Sequence, residues 1–236
     1  MTNQQTKVFV IGLPRTGTTS MSIALLALGY KVAHQGFTQQ TFALADAVTD
    51  APCFSDYPYL HQLYPNAKFI YLNRNIDAWV ASMQMLLSKM LPHLHPQSGR
   101  FHPVMKRSFE ACFGVSTCRD PLDEHHLRRC FAYHQQQVYE YFNIKNNELE
   151  NHQFLEIDVS TPKDMSRLQQ FLMANIANNI PNFPHSNQGS DVAGWDEFRH
   201  PNKVVSNASG QLRRKYFDYK PMVKPLPWVN TEVNQI

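Results

Sequence analysis

The sequence has no uninterrupted apolar run of the roughly 18 residues that a membrane-spanning helix needs, so we expect no membrane span. The N-terminus also has no basic stretch followed by a long apolar segment, which is the pattern of a secretory signal peptide. Only four cysteines occur, and none forms a C-x-x-C pair. These absences predict a reduced protein of the cytoplasm with buried thiols.

Charge is scarce as well, since 17% of the 236 residues are charged and the formal net charge is only +3. Lysine and arginine are scattered, with one dense cluster at 212–215, so the charge pattern does not indicate nucleic-acid binding. No spacing of cysteine and histidine matches a usual structural zinc site, and we expect no metal. The hydrophobic fraction of 43% is enough for a substantial core, and the length fits a single domain over residues 1–236.

Short apolar runs alternate with longer amphipathic segments, which is the pattern of βα units around a parallel sheet. The patterns predict strands at 7–11, 30–33, 68–72 and 154–157, and helices at 18–28, from Asn75 onward, and at 165–178. Residues 1–6 are polar and are expected to be disordered. Residues 92–121 are rich in histidine, proline and arginine and indicate an irregular insertion or a lid, and the proline-rich 181–227 is expected to wrap over the domain.

Residues 12–20 (GLPRTGTTS) form a turn-rich loop between a predicted strand and a predicted helix. A loop in this place directs its backbone amides and the positive end of the helix dipole toward one anion. Gly12 permits a tight exit from the strand, Gly17 lets the backbone approach a phosphate, and Arg15 supplies a fixed positive charge. The segment predicts an α/β protein with a three-layer P-loop fold, in which helices flank a central parallel sheet.

The G-x-x-x-x-G spacing is also that of nucleotide triphosphatases, but their loop continues with Gly-Lys-Ser/Thr. Thr18 stands where that lysine would reach the terminal phosphates, so the sequence disfavours a kinase or an NTPase. A plain turn that connects a strand to a helix and binds nothing also fits the loop taken by itself.

Residues 15–20 (RTGTTS) resemble the loop of sulfotransferases that use 3'-phosphoadenosine 5'-phosphosulfate (PAPS). In that family the loop holds the 5'-phosphosulfate, and a later arginine, with a serine eight residues on, grips the 3'-phosphate. Arg74 and Ser82 have this spacing after the strand predicted at 68–72. The resemblance implies that the donor is bound by Pro14, Arg15, Thr16, Gly17, Thr18, Thr19, Ser20, Arg74 and Ser82.

Four shorter stretches resemble one branch of the same family: 30–34 (YKVAH), 50–52 (DAP), 64–68 (YPNAK) and 183–187 (FPHSN). The similarity therefore covers residues 7–90 well and 130–190 loosely. The segment 92–121 and the C-terminal tail contribute nothing to it.

Sulfuryl transfer requires in-line positioning, stabilisation of the leaving phosphate and a base for the acceptor. Arg15 and the loop amides are expected to stabilise the charge on the leaving adenosine 3',5'-bisphosphate, without a metal. His34 is the first candidate for the base, because imidazole titrates in the useful range. Asp50 is the second, either as a base with a raised pKa or as the residue that orients His34. For each of these two residues, a purely structural role fits the sequence equally well.

The sequence thus predicts an enzyme that moves a sulfuryl group from PAPS to a hydroxyl or amine. The acceptor stays open among carbohydrate, phenol, amine and lipid alcohol, and the oligomeric state is also open. Two alternatives remain: a P-loop nucleotide kinase or NTPase, and a non-catalytic protein that binds adenosine bisphosphate.

Overall fold

The structure is a computed structural model, and it describes residues 6–143, 152–173, 182–183, 195–207, 221 and 224–229. Within these residues the centre of the fold is a parallel sheet of five strands in the order β2-β3-β1-β4-β5. The strands are β1 Val8–Val10, β2 Val32–Ala33, β3 Ala47–Val48, β4 Lys68–Leu72 and β5 Phe154–Ile157. The predicted α/β class with a central parallel sheet is confirmed.

Seven described helices surround the sheet, and they are α1 Thr18–Ala27, α2 Gln39–Leu44, α3 Cys53–Leu63, α4 Ile76–Leu94, α5 Pro103–Phe113, α6 Glu124–Phe142 and α7 Asp164–Leu172. Several of these helices begin at a residue whose side chain caps the first turn. Asn75 accepts hydrogen bonds from two first-turn amides of α4, and Asp123 accepts one from His126 N–H at the start of α6. None of the described helices is long and apolar enough to cross a membrane.

The side chains of β1 are buried on both faces of the sheet, because the sheet lies between two layers of helices. Val8 and Val10 pack in a cluster with residues of α1 and α7, whereas Phe9 packs in a second cluster with residues of α3 and α6. A strand covered on both sides must be apolar throughout rather than alternating, which is what the continuous run in the sequence shows.

The sheet register brings the two predicted anchor segments to one edge. Val10 of β1 pairs with Ile70 of β4 in parallel, so the loop after β1 and the chain after β4 leave the sheet side by side. Ligands of open α/β folds bind at this carboxyl edge. Arg74 therefore follows β4 directly beside the loop at 12–20.

The prediction of irregular structure over 92–121 is wrong for 103–113, which form α5. His102 caps this helix and Pro103 occupies its first turn. Met105, Phe109 and Phe113 recur at helical spacing and are buried together with residues of α4 and α6. The charged and proline-rich surroundings hid this apolar face in the sequence. Whether the segment acts as a lid stays a prediction.

Three short elements were also missed, namely α2, β3 and α3. Two residues of β3 give no alternation to recognise, and α3 contains Pro58. The predicted helix at 165–178 is α7 up to Leu172, and residues 174–178 lie outside the described part. So do residues 1–5, 184–187 and 212–215. In the predicted wrap, Lys203 forms a parallel bridge with Val32 of β2.

Candidate active site

The loop between β1 and α1 is held by side chains from α4 and from the end of β4. Trp79 Nε1 donates a hydrogen bond to Pro14 O at 2.8 Å, and Arg74 Nη1 donates one to Arg15 O at 2.7 Å. Inside the loop, Thr16 Oγ1 donates to Leu13 O at 2.7 Å. These bonds give three carbonyl oxygens of the loop a hydrogen-bond donor each.

Two glycines are required by the close packing of this loop. A Cβ on Gly12 would lie 2.6 Å from Leu72 Cβ, and one on Gly17 would lie 2.5 Å from Val159 Cγ2. Gly17 also has a φ of 106° and precedes α1 without any side-chain cap. Because the first amides of a helix have no partner within it, the start of α1 keeps donors for an anion.

The three residues predicted to grip the two ends of the donor are adjacent. Arg15 Nε donates to Ser82 Oγ at 2.8 Å, while Arg74 supports the Arg15 carbonyl. Burial and the neighbouring Arg74 charge lower the pKa of Arg15. Among the described residues, neither arginine forms an ion pair with a carboxylate. Two adjacent cations without an acidic partner create a local positive potential, which favours an anionic ligand.

A cavity of about 750 Å³ opens at these residues. Its lining includes Pro14, Arg15, Gly17, Thr18, Thr19, Arg74, Ser82, His34 and Asp50, together with residues of α4 and α5. Thr16 and Ser20 are buried and do not line it. Their contact with the donor stays a prediction.

His34 and Asp50 reach the same cavity from β2 and β3. Their strands are parallel neighbours, since Ala33 pairs with Val48, and both side chains leave at the carboxyl edge. His34 Nε2 lies 3.7 Å from Asp50 Oδ2, and each side chain is 13% exposed. Asp50 has a φ of 58°, in the left-handed region, and its Oδ1 accepts a hydrogen bond from Ala51 N–H at 2.7 Å.

Two hydroxyls that the sequence did not single out hold the His34 ring from behind. Nδ1 lies 3.1 Å from Ser22 Oγ and 3.0 Å from Thr49 Oγ1. Ser22 Oγ also donates to Thr18 O at 2.7 Å, which links the ring to the first turn of α1. The sequence did carry one signal for Ser22, because it lies four residues after Thr18 and so on the same face of the helix.

Burial shifts the pKa values of Asp50 and His34 in opposite directions. It raises the pKa of Asp50 to about 6, against hydrogen bonds from Ala51 and Thr18 that lower it. It lowers the pKa of His34 to about 4, and the Lys203 charge adds to the decrease. At neutral pH the carboxylate is therefore ionised and the imidazole is neutral, so the pair holds one negative charge.

The buried Asp50 carboxylate is expected to destabilise the folded protein at neutral pH. The folded state holds the Asp50 proton more tightly than the unfolded chain does, so protonation of Asp50 stabilises the fold. This stabilisation is complete below pH 3.8 and is lost as the pH rises through about 6. We expect Asp50→Asn to raise the free energy of unfolding by about 1–3 kcal/mol at pH 8. The gain should shrink toward zero near pH 4. Urea unfolding at a series of pH values measures it.

Asparagine suits this test because it tolerates the left-handed backbone conformation of Asp50. Asp196→Asn, at an exposed aspartate, is the matched control and should change stability by less than about 0.5 kcal/mol. His34 has the opposite dependence, because its lowered pKa makes stability fall as the pH drops from 6.5 through about 4. A gain in Asp50→Asn that is equal at pH 4 and pH 8 would contradict the assigned burial effect.

Histidine and cysteine residues between 112 and 130 do not assemble a metal site. His126 Nε2 lies 2.8 Å from Phe113 O, and its Nδ1 accepts a hydrogen bond from Trp228 Nε1 at 3.2 Å. Across the described part of the chain, no group of His, Cys, Asp and Glu is placed to hold a metal ion.

Comparison with known proteins identifies the family. The family model described as a sulfotransferase domain matches residues 7–41 and 35–192, which together take in the loop, both anchors and the His34–Asp50 pair. No curated protein matches the chain. The matched region covers well over half of the sequence, and the chain belongs to the sulfotransferase family.

Proposed function

We propose that the protein transfers a sulfuryl group from PAPS to a hydroxyl or amine and releases adenosine 3',5'-bisphosphate. One observation carries the proposal: Arg15 and Arg74 lie together without a carboxylate partner in the described residues, in a cavity that Asp50 also lines. This arrangement supports a site in which two cations bind a nucleotide with two separate phosphate groups and Asp50 acts as the base for the acceptor.

The donor side uses the loop and the two anchors. Arg15, with the first amides of α1, would bind the 5'-phosphosulfate and stabilise the charge that develops on the leaving phosphate. Arg74 and Ser82 would bind the 3'-phosphate. The hydrogen bond between Arg15 and Ser82 orients the guanidinium at the loop, which supports transfer because a fixed cation needs little reorganisation during the reaction.

Asp50 is the better candidate for the base, and His34 becomes a positioning residue. A base acts best when its pKa lies near the working pH, and about 6 meets this condition better than about 4. The ring of His34, held by Ser22 and Thr49, fixes one side of the carboxylate. This assignment reverses the order of the two candidates that sequence reasoning favoured.

The NTPase alternative receives less support from the loop. Thr18, at the position of the missing lysine, has its hydroxyl 3.5 Å from Asp50 Oδ2 and brings no charge to a phosphate. A non-catalytic binding protein would not need a buried carboxylate with a raised pKa beside the phosphate loop. One binding experiment distinguishes both alternatives from a PAPS-dependent sulfotransferase.

Isothermal titration of the wild type and Arg74→Ala with adenosine 3',5'-bisphosphate, 5'-AMP and ATP with magnesium tests the donor. We expect the wild type to bind the bisphosphate about 10- to 100-fold more tightly than 5'-AMP, because charge-assisted hydrogen bonds contribute roughly 1.5–3 kcal/mol. In Arg74→Ala this ratio should fall to a few-fold. The ratio of the two affinities reports on the 3'-phosphate alone, because loss of the hydrogen bond from Arg74 to Arg15 O weakens the binding of both ligands alike.

Arg100→Ala, at an exposed arginine, is the matched control and should leave the ratio unchanged. Equal or tighter binding of ATP with magnesium would favour the NTPase alternative. A preserved ratio in Arg74→Ala would remove the 3'-phosphate assignment. Bisphosphate binding without transfer to any acceptor would indicate the non-catalytic alternative.

A further inference from the structure

The cavity at the loop is divided into a polar end and an apolar end. The groups able to bind or ionise come from the loop, from His34, Gln35 and Asp50 in the segments that follow β2 and β3, and from Arg74 and Ser82. Beyond Ser82, the described lining consists of Met85, Leu86 and Met90 of α4, and of Met105 and Phe109 of α5. This second surface, the apolar wall, contains no charged or hydrogen-bonding side chain among the residues that the structure describes.

The apolar wall lies beyond the proposed anchors of the donor. An α-helix rises about 1.5 Å per residue, so Met85 and Met90 lie about 4.5 and 12 Å further along α4 than Ser82. A donor held by the loop, Arg74 and Ser82 leaves this part of the cavity for the second substrate.

The α5 side of the wall is fixed in place by a buried ion pair. Arg107 Nη1 and Nη2 each donate to a carboxylate oxygen of Asp56 at 2.7 Å, and Ser55 Oγ donates to Ser108 Oγ at 2.9 Å. Phe109 also packs edge-on against Phe54, with ring centroids 5.8 Å apart. These contacts tie α5 to α3, between the two side chains that α5 presents to the cavity.

The α4 side of the wall is adaptable. Met85 is 57% exposed, and methionine has three rotatable bonds and a polarisable sulfur, so it moulds to apolar ligands of different shapes. An apolar ligand that covers an exposed methionine at the mouth of a cavity removes apolar surface from water, and this favours binding. A sugar would instead lose water from several hydroxyls without gaining partners on this wall.

We propose that the acceptor carries its hydroxyl or amine on an apolar body, as in a phenol or a long-chain alcohol or amine, and is not a carbohydrate. This proposal rests on the proposed function. The acceptor oxygen or nitrogen forms a new bond to sulfur, and the bond from sulfur to the bridging oxygen of the 5'-phosphate breaks. The electron pair of that bond stays on the phosphate, and the acceptor proton passes to Asp50. The products are the sulfated acceptor and adenosine 3',5'-bisphosphate.

The test is binding to the full chain saturated with adenosine 3',5'-bisphosphate, using 1-naphthol, dodecan-1-ol and N-acetyllactosamine as probes. We expect saturable binding of the first two and none of the sugar. Met90→Gln, which keeps the side-chain length but adds an amide, should weaken 1-naphthol binding roughly five- to tenfold. Bisphosphate affinity should stay within about twofold. With PAPS, the same two probes should be sulfated.

Met85→Gln is a second variant at a more exposed position, for use if Met90→Gln is poorly folded by circular dichroism. Met173→Gln, at a methionine that is 87% exposed and does not line the cavity, is the matched control and should change nothing. Bisphosphate binding without saturable binding of the apolar probes, or with equal binding by the glutamine variants, overturns the acceptor proposal alone. Binding of N-acetyllactosamine also overturns it. Absence of bisphosphate binding overturns the proposed function, and this proposal with it.

Discussion

Asp50→Asn should lower kcat for sulfuryl transfer by about 10²- to 10⁴-fold, which is the usual contribution of a general base. The variant keeps the size of the side chain and the hydrogen bond to Ala51 N–H, so the loss reports the missing base rather than a changed backbone. The measurement is transfer of labelled sulfate from PAPS to an acceptor that the wild type sulfates. Because the same change is expected to stabilise the fold, lower activity would accompany a higher free energy of unfolding.

The pH profile separates Asp50 from His34 as the base. In the wild type, kcat/KM should fall as the pH drops through about 6, because the Asp50 carboxylate gains a proton. His34→Gln should reduce activity less than Asp50→Asn and should keep this acidic limb. Asp50→Asn should lose it. An acidic limb that persists in Asp50→Asn and disappears in His34→Gln would make His34 the base instead.

Arg107→Ala should destabilise the protein by about 3–5 kcal/mol, since it leaves a buried carboxylate without its partner. Asp56 is 0% exposed, and both of its oxygens receive hydrogen bonds from Arg107. A loss of this size is a large fraction of the stability of an ordinary domain. Urea unfolding at pH 7 measures it.

Arg128→Ala is the matched control, because Arg128 pairs with Asp77 and Glu124 at the surface, where such pairs contribute little. Asp56→Asn combined with Arg107→Met should recover much of the stability lost in Arg107→Ala, because no buried charge is left unpaired. If Arg107→Ala is as stable as Arg128→Ala, the ion pair does not anchor α5. The fixed side of the apolar wall would then need another explanation.

The loop was predictable because its signal is local. Strand, glycine-containing turn and helix follow one another within residues 7–28, and each part is encoded by neighbours in the chain. The strand β4 and the helix α4 that position Arg74 and Ser82 also have local signals, whereas the role of these two residues at a 3'-phosphate comes from the family resemblance and stays a prediction. The parallel register of β1 and β4 then placed both segments at one edge, as the βα pattern indicated.

The acid-base assignment was not predictable, although both residues were identified. The pKa values of His34 and Asp50 depend on burial, and that of His34 depends also on Lys203, which is 169 positions away in the sequence. The two-residue strand β3 that presents Asp50 has no recognisable pattern. Composition and spacing carry no information on desolvation, because desolvation is set by everything that packs around a group.

By itself, the sequence determined the α/β class and the order of strand, loop and helix around residues 12–20, because short-range patterns of strand, turn and helix specify these features. Only the tertiary structure decided that His34 and Asp50 are buried, which shifts their pKa values in opposite directions, and that α5 is a packed helix. It alone revealed the apolar wall beyond Ser82. Those features arise where segments far apart in the chain bury one another, and burial is a property of the assembled fold.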